Sequence, residues 1–232
     1  MGVFGLLILA LAGGCALFRP ATPPPDVPAV LPREDLARAA SALEAAPNSL
    51  AVFEPELAAA PLDIARSAVV IDLDRQRAYV YSQSRLVAAT RLASGRRGYR
   101  TPTGDYKLGQ RNIDHASNLY GKFVDSESGE VVARDVDMRV DEPPEGAEFV
   151  GAPMRYFMRF HELDGTYTAV GMHAGRVPRH PASHGCIRLP GSAARALWAL
   201  LPRGLPVHVY GEKFGQPARP LPQEEAREKD AA

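Results

Sequence analysis

Residues 171–190 read GMHAGRVPRHPASHGCIRLP, and this stretch carries most of what the chain reveals. His173, His180 and His184 crowd into it, together with Cys186, the one cysteine outside the first fifteen residues. A thiol attacks acyl carbon as thiolate and needs a base beside it. His173 precedes Cys186 by a strand end and a loop, a separation that lets the chain double back and bring imidazole to sulfur. His184, two residues before Cys186, is predicted to share its side of an extended segment, with Arg188 on that side again. Gly185 leaves the backbone uncrowded, so its amide and that of Cys186 can point at a developing oxyanion. The fork of Arg188 suits bidentate recognition of a carboxylate.

Outward from this stretch the pattern is strand-like. Ala68–Leu73 is a β-rich apolar run, Arg77–Tyr81 alternates, and Leu86–Thr90 follows a second polar turn. Thr101-Pro102-Thr103-Gly104 reads as a turn into another strand, and Met154–Phe160, Tyr167–Met172 and Leu205–Tyr210 continue the pattern. Ser192–Leu201 is the best helix, with Trp198 as a core anchor. Residues 112–151 are polar and too long for a plain connection, which predicts a lid or small inserted hairpin. The expected fold is mainly β (β-rich α+β), one domain over residues 66–212, with one main helix after the reactive loop.

Ser183-His184-Gly185-Cys186-Ile187-Arg188-Leu189, with Gly171-Met172-His173-Ala174-Gly175 upstream, resembles the signature of the bacterial L,D-transpeptidase family, the YkuD-type catalytic domain. The opening Val-Ile-Asp-Leu strand, the Ala78–Tyr81 strand, the Thr101–Gly104 turn and the closing Gly204–Val209 segment stand in the family's order. The resemblance implies a mixed-sheet β-sandwich with its active site under a flexible flap, and an enzyme that cross-links peptidoglycan or attaches proteins or amino acids to it. It implies Cys186 as nucleophile, His173 as general base and acid, and the carbonyl of Ala174 orienting that ring. Ser183, His184, Gly185 and Arg188 would shape the pocket, and Met154 and Tyr156 would line the substrate strand. The implied reaction forms a thioester at the third stem residue, releases D-Ala and passes the acyl group to an amine, with stem peptides as partners and no cofactor or metal. Two rival functions remain at this stage: a peptidoglycan L,D-carboxypeptidase or related hydrolase, and a wall-binding lipoprotein without catalysis. His173, His180, His184 and Cys186 are also residue types that suit a zinc site.

The ends of the chain are of another kind. Val3–Gly14 is apolar, too short to span a bilayer as a helix, and stops at Cys15, in the manner of a lipoprotein signal whose cysteine is lipidated. Residues 16–65 read as a Pro/Ala-rich tether with a short, weakly docked helix, and residues 213–232 as a disordered tail. The expected place is the cell envelope, in the periplasm, on a membrane anchor. The 27 Lys and Arg balance 27 Asp and Glu, which removes the excess positive charge that general nucleic-acid binding requires. With Cys15 lipidated or removed, Cys186 has no partner to oxidise with in an exported protein.

Overall fold

A computed structural model describes residues 31–211. The expected signal segment, Cys15, residues 16–30 of the tether and the tail lie outside the described residues. Helix α1 (Arg33–Ala45) and the short β1 (Leu50–Val52) lead into three strands, β2 (Ser67–Asp72), β3 (Arg77–Ser82) and β4 (Arg85–Arg91). Then come β5 (Gly104–Asn112), β6 (Ala116–Asp125), β7 (Val131–Asp137), β8 (Ala147–Pro153), β9 (Phe157–His161) and β10 (Tyr167–Ala174). The chain ends with β11 (Ile187–Leu189), α2 (Gly191–Leu200) and β12 (Pro206–Tyr210).

Nine strands form one mixed sheet in the order β1-β4-β3-β2-β12-β5-β9-β10-β11. Past β4 the chain bridges back to the far edge, Ala93 to Arg188 and Gly95 to Ser183. The sheet therefore curls on itself, and Val69, Ile71 and Val80 share one core with Met158, Phe160, Met172, Ile187 and Leu197 of α2. The β3–β4 turn, Gln83–Ser84, takes positive φ at both residues (53° and 61°), the hairpin conformation that matches the twist of the strands.

The strands β2 to β4 are buried on both faces, because alternate residues enter two different cores. The second core, built on Ala68, Val70, Tyr79 and Tyr81, is covered by Ala39 and Leu43 of α1, both fully buried. Tyr81 donates to the Asp35 carboxylate at 2.9 Å, and Arg91 bonds the Leu43 carbonyl at 3.2 Å and Glu44 at 2.6 Å, closing the helix end. Leu62 enters the main core as well. The weakly docked helix expected from sequence is thus corrected: residues 31–65 are part of the packed body. The stripe on α1 is narrow, but it meets two flat tyrosine rings.

The insertion is a separate three-stranded antiparallel sheet, β7-β6-β8. It occupies the segment 112–151 expected to form a lid or small hairpin, and its last strand runs on to Pro153.

Leu43→Ala removes a fully buried side chain from the α1 seam and should cost about 2–4 kcal/mol. Urea unfolding checks this; a loss below about 0.5 kcal/mol would mean the helix is not part of the cooperative unit.

Candidate active site

Met172 and Ile187 are paired on the parallel strands β10 and β11 and are both fully buried. The next pair, His173 with Arg188, therefore faces away from that core, as do the preceding residues Gly171 and Cys186. Parallel neighbours require a crossover of about a dozen residues or more, and residues 175–186 supply it without a helix. The reactive loop is that crossover.

The loop is held from beneath by backbone bonds. Ala182 and Ser183 donate to the Ser94 carbonyl at 2.8 and 3.0 Å, and Arg96 donates to the Ser183 carbonyl at 2.9 Å. The buried Thr101 hydroxyl donates to the Gly185 carbonyl at 2.6 Å and accepts from the Gly95 amide at 2.9 Å. Thr101 opens the turn singled out in the sequence, yet its role comes from a contact 84 residues away that no local pattern signals.

Four sequence expectations are corrected here. The Gly185 amide donates to Ser183 Oγ at 3.1 Å, so it is engaged inside the turn and is not free for an oxyanion. The Ser183 hydroxyl donates to the Cys186 carbonyl at 2.5 Å and is buried, so it braces the loop and lines no pocket. Gly185 has φ +123°, which breaks the extended alternation and sends His184 away from the expected shared side. Residues 154–156 are a connection, with the Met154 and Tyr156 amides bonded to the carbonyls of His115 and Ile113, both at 2.8 Å. Tyr156 there takes φ +57° and turns toward Trp198 (6.2 Å between ring centroids). It packs on the core, and Met154 belongs to the same connection.

His173 is buried, and its Nδ1 lies 2.8 Å from the Ala174 carbonyl oxygen. A carbonyl only accepts, so Nδ1 carries the proton and Nε2 keeps its lone pair. Burial brings the imidazole down to about 4, the Ala174 carbonyl opposes this, and the charges of Arg188 and His115 add to the lowering. Cys186 is half-buried. Burial pushes its thiol up, against the Gly171 amide and the cations Arg159 and Arg188, which pull it down. At rest its S–H donates to the Ala169 carbonyl at 3.8 Å, with no bond to His173 among the described residues. Contacts between a nucleophile and its base commonly tighten only when substrate is bound. The resting pair is neutral.

The inserted sheet closes over this face. Tyr120 of β6 stacks on His184 at 4.1 Å with 19° between planes, and Tyr99 meets the same ring edge-on at 4.8 Å. Arg96 Nη2 lies 2.7 Å from His184 Nε2, so the ring accepts there and stays neutral, its affinity for a proton lowered to about 4 chiefly by burial. Arg139 donates to the Tyr120 hydroxyl at 2.7 Å and is itself fixed by Asp137 through two bonds, at 2.9 and 2.6 Å. No three His, Cys, Asp or Glu side chains converge as metal ligands among the described residues. His173 and His184 are turned to other partners.

Residues 66–209, more than half of the chain, match the family model of the YkuD L,D-transpeptidase catalytic domain. The chain belongs to this family. Solved structures similar to it include an L,D-transpeptidase from Stackebrandtia nassauensis (21% identity over 65% of this chain and 58% of that one, TM-score 0.46). Another is the L,D-transpeptidase, residues 123–326, from Xylanimonas cellulosilytica DSM 15894 (24%, 65% and 63%, TM-score 0.44). A third is the L,D-transpeptidase from Mycobacterium smegmatis (16%, 62% and 58%, TM-score 0.45). This L,D-transpeptidase-family chain spans about three-fifths of the length of each. No curated protein matches it significantly.

Because thiol and imidazole are both neutral between about pH 5 and 8, the thiolate fraction of Cys186 should climb about tenfold per pH unit there. Iodoacetamide alkylation of Cys186 followed from pH 6 to 8 should show that slope. A flat rate reaching down to pH 6 would instead reveal a preformed thiolate–imidazolium pair.

Proposed function

We propose that the chain is a peptidoglycan L,D-transpeptidase acting through a Cys186 thioester. The observation that carries the proposal is His173 held by its Nδ1 on the Ala174 carbonyl, its free Nε2 on the same face as Cys186 of the neighbouring strand segment. An imidazole fixed in that tautomer can accept only at Nε2, which is what a general base for a nearby thiol requires.

In the first half-reaction the Cys186 proton passes to His173 Nε2 as the sulfur attacks the carbonyl carbon of the third stem residue, a diamino acid. In this reading the Cys186 amide, which makes no backbone hydrogen bond among the described residues, supplies the oxyanion donor; one such donor is worth about 3 kcal/mol. The C–N bond to the terminal D-Ala then breaks, its nitrogen takes the proton from His173, and a thioester remains. An amine of a second stem attacks next, giving its proton to His173. The C–S bond breaks, and the proton returns to the sulfur. The product is a 3–3 cross-link, and the kinetics are ping-pong. Neither half-reaction uses a cofactor. The stem peptides are the partners, and the proposed place is the periplasmic side of the envelope, on a lipid at Cys15.

Incubation with a disaccharide tetrapeptide should yield a cross-linked dimer with release of D-Ala, and Cys186→Ala should abolish it. Tripeptide without dimer would replace transfer by hydrolysis, and undiminished turnover by the Cys186→Ala protein would overturn the thioester. Mass spectrometry of the protein from its host should find a diacylglyceryl-modified Cys15 at the mature terminus; an unmodified terminus downstream of it would remove the anchor.

A further inference from the structure

The pairing of β9 with β10 slips between Tyr167 and Gly171. Such bulges unpair backbone groups and re-aim side chains, and they gather beside active sites. Here the slip releases two consecutive carbonyls. That of Thr168 accepts from Arg159 Nη1 at 2.8 Å, while that of Ala169 accepts from the thiol of Cys186 at 3.8 Å. A guanidinium on β9 and the nucleophile next to β11 thus meet over adjacent peptide units of the strand between them. Gly171 makes the approach possible: a Cβ there would stand 2.5 Å from the Met158 carbonyl and 2.9 Å from the Arg159 Cα.

The other contacts of Arg159 are uncharged. Its Nε donates to Gln110 Oε1 at 3.2 Å, and its guanidinium carbon lies 5.1 Å from the centre of the Phe157 ring. Its Nη2 has no protein acceptor among the described residues, where neither Arg159 nor Arg188 forms an ion pair. A half-buried cation is costly to hold without an anion. The fold fixes Arg159 at two nitrogens and leaves the third without a protein acceptor among the described residues, on a guanidinium close enough to act on the Cys186 thiol.

Which anion would meet it follows from direction. His173 lies five residues along β10 from Thr168, about 16 Å by the rise of a strand, with the sulfur between them. The departing nitrogen must lie beside His173, so the acyl part of the donor extends toward Arg159. We propose that Arg159 is a specificity residue that pairs with a free carboxylate on the acyl side of the donor stem, the side-chain carboxylate of a diamino-diacid at its third residue. The protein therefore selects acidic over amidated stems. This rests on the transfer reading for the direction of the donor, and it adds the substrate class.

The test reads binding without turnover. In Cys186→Ala protein, calorimetry compares a tetrapeptide bearing meso-diaminopimelate with the same peptide amidated at that side-chain carboxylate. The acid should bind about tenfold more tightly. Adding Arg159→Gln should weaken the acid to the level of the amide and leave the amide unchanged. Arg159→Lys, which keeps the charge without the fork, should retain part of the preference and covers the case in which the Gln variant fails to fold. Equal affinity of the two peptides, or a preference that survives Arg159→Gln, would overturn the proposal, as would an equal loss for both. A protein that cross-links tetrapeptides without this discrimination keeps the transfer reading and loses this one. A protein that discriminates through Arg159 yet cross-links nothing does the reverse.

Discussion

The parallel pairing of β10 with β11 is the constraint on which the site depends. It sets Met172 and Ile187 into the core together and so turns His173, Arg188 and Cys186 to the opposite side. Neither strand could do this alone, since the imidazole and the thiol are separated by a crossover that has no regular structure of its own. That crossover keeps its shape because Ser94, Thr101 and Ser183 engage its peptide groups one after another. Hydrogen bonds to a buried backbone also remove competing uses for it: a loop anchored through Ser183, Gly185 and Cys186 cannot relax there without losing partners.

Much of this was legible in the sequence, for reasons that can be named. The β2, β3 and β4 runs are rich in β-branched and aromatic residues and are separated by polar turns, so period and composition agree. The reactive segment was legible because its chemistry is local: a cysteine, a histidine and a glycine within a few residues. What depended on distant contacts was not. The docking of α1 was underestimated from its own narrow stripe. The signal lay instead in β2, where Ala68-Val69-Val70-Ile71 is apolar on both faces and so requires a cover on each. A glycine amide near a nucleophile looks free in the sequence, whereas the serine hydroxyl two residues earlier holds that of Gly185. The neighbours of Tyr156 suggest a strand, whereas its positive φ marks the connection between two sheets.

The inserted sheet changes what the site can exclude. His184 is stacked on Tyr120, meets Tyr99 edge-on and accepts from Arg96, so the histidine nearest Cys186 in sequence serves as the seat of the lid. Asp137 fixes Arg139, and Arg139 fixes the hydroxyl of Tyr120, which ties the position of β6 over the site to an ion pair on β7 and the turn beyond it. Rings and guanidinium groups from the inserted sheet and from the Arg96–Tyr99 segment thus gather around His184, and the bond from Arg96 needs a neutral imidazole there.

Burial creates the chief electrostatic difficulty of the site. Burial lowers the imidazole of His173 and raises the thiol of Cys186, so each is moved away from the ionised form that acyl transfer requires. Proton transfer between them therefore becomes favourable only when the two charges appear together, within reach of each other and in the field of Arg159 and Arg188. Those guanidinium groups stabilise the sulfur anion, but Arg188 also disfavours the imidazolium. The two guanidinium groups thus act on different members of the pair: Arg159 lowers the thiol alone, whereas Arg188 lowers both the thiol and the imidazole. Arg188 therefore favours the thiolate while weakening the base that must take its proton, and Arg159 favours the thiolate without that penalty.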